Sequence, residues 1–414
     1  MRWLALASLL FIATTVRADD WPQWLGPNRD GTTKEIVKPW KGELKVAWKV
    51  SVGEGHSSPI VDKGLTFLFE KVPGKDEERL MAWTADKGHP IGFVTKARGP
   101  FSSMFGAGPR STPTFADGRI YTFGVTGRLS SQQIGTTSAG NAQVSPGFSL
   151  DTAEEFKPAS LKFGVSASPL VEGDLVIVPV GGQGAGIVAF DRKDGHVVWK
   201  SLNDPASYAS PIAFGEGDRR QIVALTEKGL VSLSPKDGKE FWQYPFHDLI
   251  SESSTTPVKV GDLLIGSSVT LGSVALKLSE TDGKPGVIPL WKKPELSCYF
   301  STPVPVGKYL YMITGALSMK PTITLRCVET TTGKTLWSKP NIGKYHAALL
   351  RTGNDKLLML DDAGYLTLLD ANPDSYKELA RSKVCGETWA HPALANGHLY
   401  LRDNKELICL QFAE

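Results

Sequence analysis

The sequence predicts an all-β protein: an eight-bladed β-propeller of four-stranded antiparallel blades, closed by an N-terminal strand that completes the last blade. Three observations predict it. A Ser/Thr-Pro anchor followed by an apolar strand recurs along the chain. A turn of the form acid, Asp/Thr-Gly, then an apolar run ending in tryptophan recurs at residues 191–199 (DRKDGHVVW), 234–242 (SPKDGKEFW) and 329–337 (ETTTGKTLW). The composition, with Gly 42, Pro 27 and Trp 11 against Met 6 in 414 residues, is that of a turn-rich chain rather than a helical one.

The elements follow in order. Arg2, an apolar run at residues 4–16 too short to span a bilayer, and small residues at Val16 and Ala18 mark residues 1–18 as a signal peptide cut near Ala18. A periplasmic or secreted protein is therefore expected, with no further segment of the mature chain able to cross a membrane. No cysteine follows the apolar run, which argues against lipid attachment there. Residues 19–43 contain DWPQWLGPNRDG (20–31). We expect an apolar strap of Trp21, Trp24 and Pro27 laid over the blade sides, tied down by Arg29 or Asp30.

Residues 44–414 are expected to form one propeller domain. Its anchors are Pro59, Pro113, Pro169, Pro211, Pro257, Pro303 and Pro392, with residues 347–349 (AAL) filling the missing slot. The spacings of 54, 56, 42, 46 and 46, with 89 spanning two units, give eight units. A period of ~40–45 residues with four strands marks a propeller, whose blades bury their faces only by stacking in a ring. The Asp/Thr-Gly pair supplies a residue tolerant of positive φ in the hairpin between third and fourth strands. The tryptophan offers an apolar plate to the neighbouring blade. After Pro392 the chain has room for only three strands. The fourth is expected from residues 44–53 (LKVAWKVSVG), which removes the free edges of the ring.

The second unit departs from the pattern: residues 118–164 replace the acid-turn-tryptophan hairpin by a polar Gln, Ser, Thr and Gly stretch. This reads as a degenerate blade with a surface flap, or as a loop adapted to a partner. Residues 96–110 (KARGPFSSMFGAGPR) read as a loop carrying Phe101, Met104 and Phe105, to be either exposed or packed over the ring's mouth. Of the four cysteines, Cys327 and Cys409 fall in the strand slot that holds Ala189, as small buried residues in separate repeats. An even count in an exported chain invites disulfides with Cys298 and Cys385, and these positions argue against them.

The anchors, the turns and the N-terminal DWPQWLGPNRDG together resemble the pyrroloquinoline-quinone-like repeat propellers, the group that includes the BamB-like assembly proteins and the quinoprotein dehydrogenases. The resemblance spans residues 20–412. It implies the propeller fold and, for a quinoprotein, a quinone beneath a vicinal disulfide with calcium held by acidic and amide side chains and an Asp base. The sequence has no adjacent cysteines to match, and it also lacks the lipidated cysteine of the BamB-like lipoproteins.

Residues just ahead of each anchor lead into the innermost strand and are expected to ring the channel mouth. They read GEGHSSP, AGPRSTP, GVSASP, ASYASP, ESSTTP, CYFSTP, KYHAAL and TWAHP. His56, Arg110, Tyr208, Tyr299, Tyr345, His346, Trp389 and His391 are thus candidate binding residues. His346, His391 and His56 lie in units adjacent around a closed ring. They could hold zinc or copper if their nitrogens met, but uneven offsets from the anchors favour separate histidines and no metal.

The net charge of +3 carries no basic face, so nucleic acid is not an expected partner. No nucleophile elbow or glycine-rich phosphate loop occurs. Two functions remain. The first is a non-catalytic exported binding or scaffold module, monomeric and without cofactor, for a protein, peptide or glycan. The alternative is an oxidoreductase acting on an alcohol or sugar with pyrroloquinoline quinone and calcium, for which Asp248, Glu252, Glu54 and Glu387 are the acids near the mouth.

Overall fold

The computed structural model describes residues 20–138, 141–315 and 318–412; the expected signal peptide, residues 1–18, lies outside them. Eight four-stranded antiparallel sheets stand around one axis; seven are ordered from inner to outer strand as the chain runs, and the eighth takes its outer strand from the N-terminal side. The innermost strands begin directly after the anchors: Ile60–Asp62, Thr114–Ala116, Leu170–Glu172, Ile212–Phe214, Val258–Val260, Val304–Val306, Ala347–Arg351 and Ala393–Ala395. Most have three residues, because strands nearest the axis have the least room.

Ring closure is as the sequence predicts. Lys45–Ser51 pairs antiparallel with Glu406–Gln411, with Lys49 opposite Ile408 and Val50 opposite Leu407. It is the outer strand of the eighth sheet, so the two ends of the chain share one blade.

The recurrent tryptophan is the joint between blades. Trp48, Trp199 and Trp291 on outer strands lie over Gly88, Gly238 and Gly333 in the turn of the next blade. A Cβ added at these glycines would come within 2.7, 2.5 and 3.0 Å of the indole. Each indole N–H then donates to a backbone oxygen of that turn: Trp48 to Ala85 (2.8 Å), Trp199 to Pro235 (2.9 Å) and Trp291 to Thr330 (2.8 Å). The turn glycine is thus fixed twice, by positive φ and by the plate resting on it. Opposite the tryptophan, across the strand pair, stands a small residue: Ala189 faces Trp199, Cys327 faces Trp337 and Cys409 faces Trp48. That slot explains the two buried cysteines, and all four cysteines are free.

The second blade is complete rather than degenerate. Arg128–Thr136 and Ala142–Asp151 form its outer hairpin, followed by one helical turn, Thr152–Phe156. Phe148 replaces the missing tryptophan, with its ring 2.8 Å from where a Cβ on Gly195 would stand. The aromatic function survives the loss of the motif, so the polar stretch disguised an ordinary blade.

Residues 20–40 do not run only along the blade sides; they cross the end of the ring towards which the inner strands run. Trp21 bridges to Val61, Pro22 accepts from the Phe115 N–H, and Arg29 donates to the Ser168 and Pro169 carbonyls. Beyond these, Gly31 and Thr33 pair with Arg351, the Glu35 carboxylate accepts from the Asn396 and Gly397 N–H groups, and Trp40 donates to Ser382. Trp24 turns inward and donates to Thr256 Oγ1 at 2.8 Å. One segment therefore ties down blades one, two, three, five, seven and eight.

Candidate functional site

Each outer strand returns to the axis by a loop that ends at the anchor, so the residues just before the anchors converge at one end of the channel. They form a well closed below by the N-terminal segment. Seven of the eight residues expected from sequence line it: His56, Arg110, Tyr208, Tyr299, His346, Trp389 and His391. Tyr345 does not line it, though its ring lies 5.6 Å from that of Trp389.

The wall is aromatic and centred on Trp389. Its ring lies 5.4 Å from His56 in a stacked arrangement, 5.1 Å from Phe105 and 5.2 Å from Phe300. Phe105 continues to Phe163 at 5.5 Å, and Phe163 to Tyr208 at 5.7 Å. On the far side Tyr299 stacks on Phe300 at 3.7 Å and donates its hydroxyl to Glu252, whose other oxygen takes Lys162 at 3.3 Å. Arg110 spends its guanidinium on the Gly108 and Gly106 carbonyls (2.6 and 2.9 Å) and covers Phe101.

Acids outside the wall hold the loops in place. Asp248 accepts from Glu252 N, Ser253 Oγ and Thr270 Oγ1, which fixes the turn that presents Glu252. Asp362 accepts from the Lys344 and Tyr345 N–H groups and so sets the position of His346. Glu54 accepts from Ala107 N in the loop that delivers Phe105.

The floor consists of Trp24, His346 and His391. The Trp24 and His391 rings meet edge to face at 4.6 Å, and those of His346 and His391 lie 5.1 Å apart. Both histidines are 2% exposed. Burial pushes His346 down to about 4 and His391 well below its ordinary value, so both are neutral at pH 7. His56, at the rim, is also lowered to about 4 by burial, with its Nε2 at 2.7 Å from the Phe105 carbonyl. His346 Nδ1 meets Ser301 Oγ at 3.2 Å. His346 Nε2 and both nitrogens of His391 are buried and have no hydrogen-bond partner among the described residues.

The three-histidine metal cluster considered from sequence is not formed. Among the described residues, the trio of ligating side chains within 4.8 Å of one another is Asp191, Asp194 and His196, on an exposed outer turn.

Sequence reasoning missed three aromatic contributors to the well, Trp24, Phe163 and Phe300, and left Phe105 open between exposure and packing over the ring's mouth. Trp24 belongs to a segment with no repeat, and Phe105 to a loop whose direction no periodicity sets. Phe163 lies just outside the GVSASP motif, and Phe300 sits inside CYFSTP beside the chosen Tyr299. A rule taking every aromatic residue near an anchor would have found the last two. Met104, in the same loop as Phe105, is 84% exposed and takes no part.

Residues 151–339 match the family model of the outer membrane protein assembly factor BamB. No curated protein matches the sequence. Among solved structures, the quinohemoprotein alcohol dehydrogenase of Comamonas testosteroni superposes with a TM-score of 0.66 at 13% identity, over 95% of this chain and 81% of that one. The quinohemoprotein alcohol dehydrogenase ADHIIG of Pseudomonas putida HK5 gives 0.66 at 12% identity, over 95% and 80%. BamB of Moraxella catarrhalis gives 0.60 at 13% identity, over 90% and 99%. At such identities the likeness is one of fold. No helix among the described residues is long and apolar enough to cross a membrane.

Proposed function

We propose that this chain, a propeller of the pyrroloquinoline-quinone-like repeat type, is a non-catalytic binding module that holds an extracytoplasmic protein or peptide partner by a group seated in the axial well. The observation that carries the reading is the well itself: a blind, neutral, aromatic-walled socket of about 130 Å³. Small-molecule sites run roughly 300–1,000 Å³, whereas an apolar cavity of ~150 Å³ takes a single benzene ring. A socket of this size suits one side chain of a partner whose remaining contacts lie on the rim loops. The BamB match, to an assembly factor, agrees with a protein partner rather than a glycan.

The quinone alternative fits the residues poorly. Calcium takes about 6–8 oxygen ligands, largely carboxylate and amide. The lining offers one carboxylate, Glu252, and no Asn or Gln side chain. Glu252 is already shared between Tyr299 and Lys162. A fused tricyclic quinone bearing three carboxylates exceeds the socket and would face neutral histidines.

The test is selection of peptides from a displayed library on the purified chain and on its Trp389→Ala variant. Peptides enriched on the former and lost on the latter support the reading. Enrichment indifferent to Trp389 would overturn it, as would saturable uptake of pyrroloquinoline quinone with calcium accompanied by dye reduction.

A further inference from the structure

We infer that the well selects a phenolic ring, a tyrosine side chain or a free phenol, whose hydroxyl is received at the floor by His391 and His346. The inference rests on the binding reading above and narrows it to one ligand chemistry.

Size sets the first limit. At about 130 Å³ the cavity takes one six-membered ring and little else. Trp24, Phe105, Phe163, Phe300 and Trp389 supply faces and edges against which such a ring can stack or stand edge-on.

The floor sets the second limit. A neutral imidazole carries one donor and one acceptor in either tautomer. His391 has both nitrogens buried and unpartnered, and His346 has its Nε2 in the same state. The two histidines that line the floor therefore hold at least one N–H and one bare nitrogen that no group among the described residues satisfies. A bare hydrocarbon ring would leave these buried nitrogens unpaired, which is unfavourable. A hydroxyl both donates and accepts, so it answers this floor; a carboxylate only accepts and an ammonium only donates.

Charge sets the third. Arg110 is the one cation among the lining residues, and its guanidinium is engaged with two backbone carbonyls at the wall. Nothing at the floor would compensate an anion. Glu252 lies across the wall with Tyr299, so a neutral ring meets no unpaired charge.

The experiment is calorimetric titration of the full chain with two matched pairs: p-cresol against toluene, and N-acetyltyrosinamide against N-acetylphenylalaninamide. The hydroxylated member of a pair is expected to bind ~10-fold tighter or more, since a site built to pair a hydroxyl rejects the analogue lacking it. His391→Leu is expected to bring the ratio close to one while toluene still binds, and His391→Gln, which keeps a donor and an acceptor, to restore part of it. Binding of p-cresol alone assigns a small phenol, and binding of both hydroxylated probes assigns a tyrosyl group; either upholds the inference. Equal affinities within the pairs, no saturable binding of either phenol, or a ratio that survives His391→Leu overturns it. Library peptides that need Trp389 yet lack tyrosine would sink the phenol and leave the binding module standing. Peptides indifferent to Trp389 would remove the binding reading itself.

Discussion

Gly238 shows how much one residue can be asked to do. Its φ is +70° and an added Cβ would stand 2.5 Å from the Trp199 ring. Gly238→Ala is therefore expected to cost ~2–4 kcal/mol, from backbone strain together with overpacking. Trp199→Ala should cost ~3–5 kcal/mol as a buried aromatic truncation. Because the two share one contact, the double variant should lose less than the sum, as read from guanidinium unfolding midpoints. Strict additivity would refute the joint. The floor histidines give a second prediction. His346 has its folded value depressed to about 4 against 6.5 in the unfolded chain. The unfolded chain then binds the proton first, so stability present above pH 6.5 is lost as pH falls through 6.5 towards 4. The loss is on the order of 3 kcal/mol for such a histidine. His391, lowered in the same way, adds to that slope, and His391→Leu should flatten it. Equal pH slopes in the two proteins would contradict the assignment.

At the scale of elements, the N-terminal segment behaves as a floor. Arg29 is 3% exposed, and burial lowers it to about 9; it is held by two carbonyls of the third blade and by Gln23. Arg29→Ala leaves those carbonyls without a strong donor and is expected to release residues 20–40 before the blades open. Hydrogen exchange should then rise across the segment while the inner strands stay protected. Loss of protection throughout the ring in step would show the segment to be part of the global fold instead. The aromatic and proline content of DWPQWLGPNRDG announced that the segment packs. Its path was not legible, because a segment without period carries no mark of which blades it will meet. The second blade teaches the converse. Its hairpin lacked the motif, yet Phe148 lies over Gly195 as the indoles do elsewhere. The constraint is a flat apolar plate at that place, and tryptophan is one way to supply it.

At the scale of the molecule, closure makes the two chain ends interdependent. Trp48 joins the eighth blade to the first, whereas the Trp242 N–H donates to Gln221 within its own blade. Trp48→Ala should therefore expose Lys45–Ser51 and Glu406–Gln411 to exchange together, and Trp242→Ala should not. Equal effects on the closing strands would argue against a ring latched at that point. The period, the anchors, the turn glycines and the outer tryptophans are local or nearest-neighbour features, so the sequence by itself determined eight blades, their order and the shared last blade. It also pointed to seven residues that line the well, since each lies in the short stretch leading into an anchor. What only the tertiary structure decided is what fills the axis: the floor made by Trp24, the Phe105 wall, and the buried nitrogens of His391 and His346 Nε2 left without partners. Those residues meet across hundreds of positions of chain after the ring has closed, and no repeat spacing encodes a contact between segments that do not repeat.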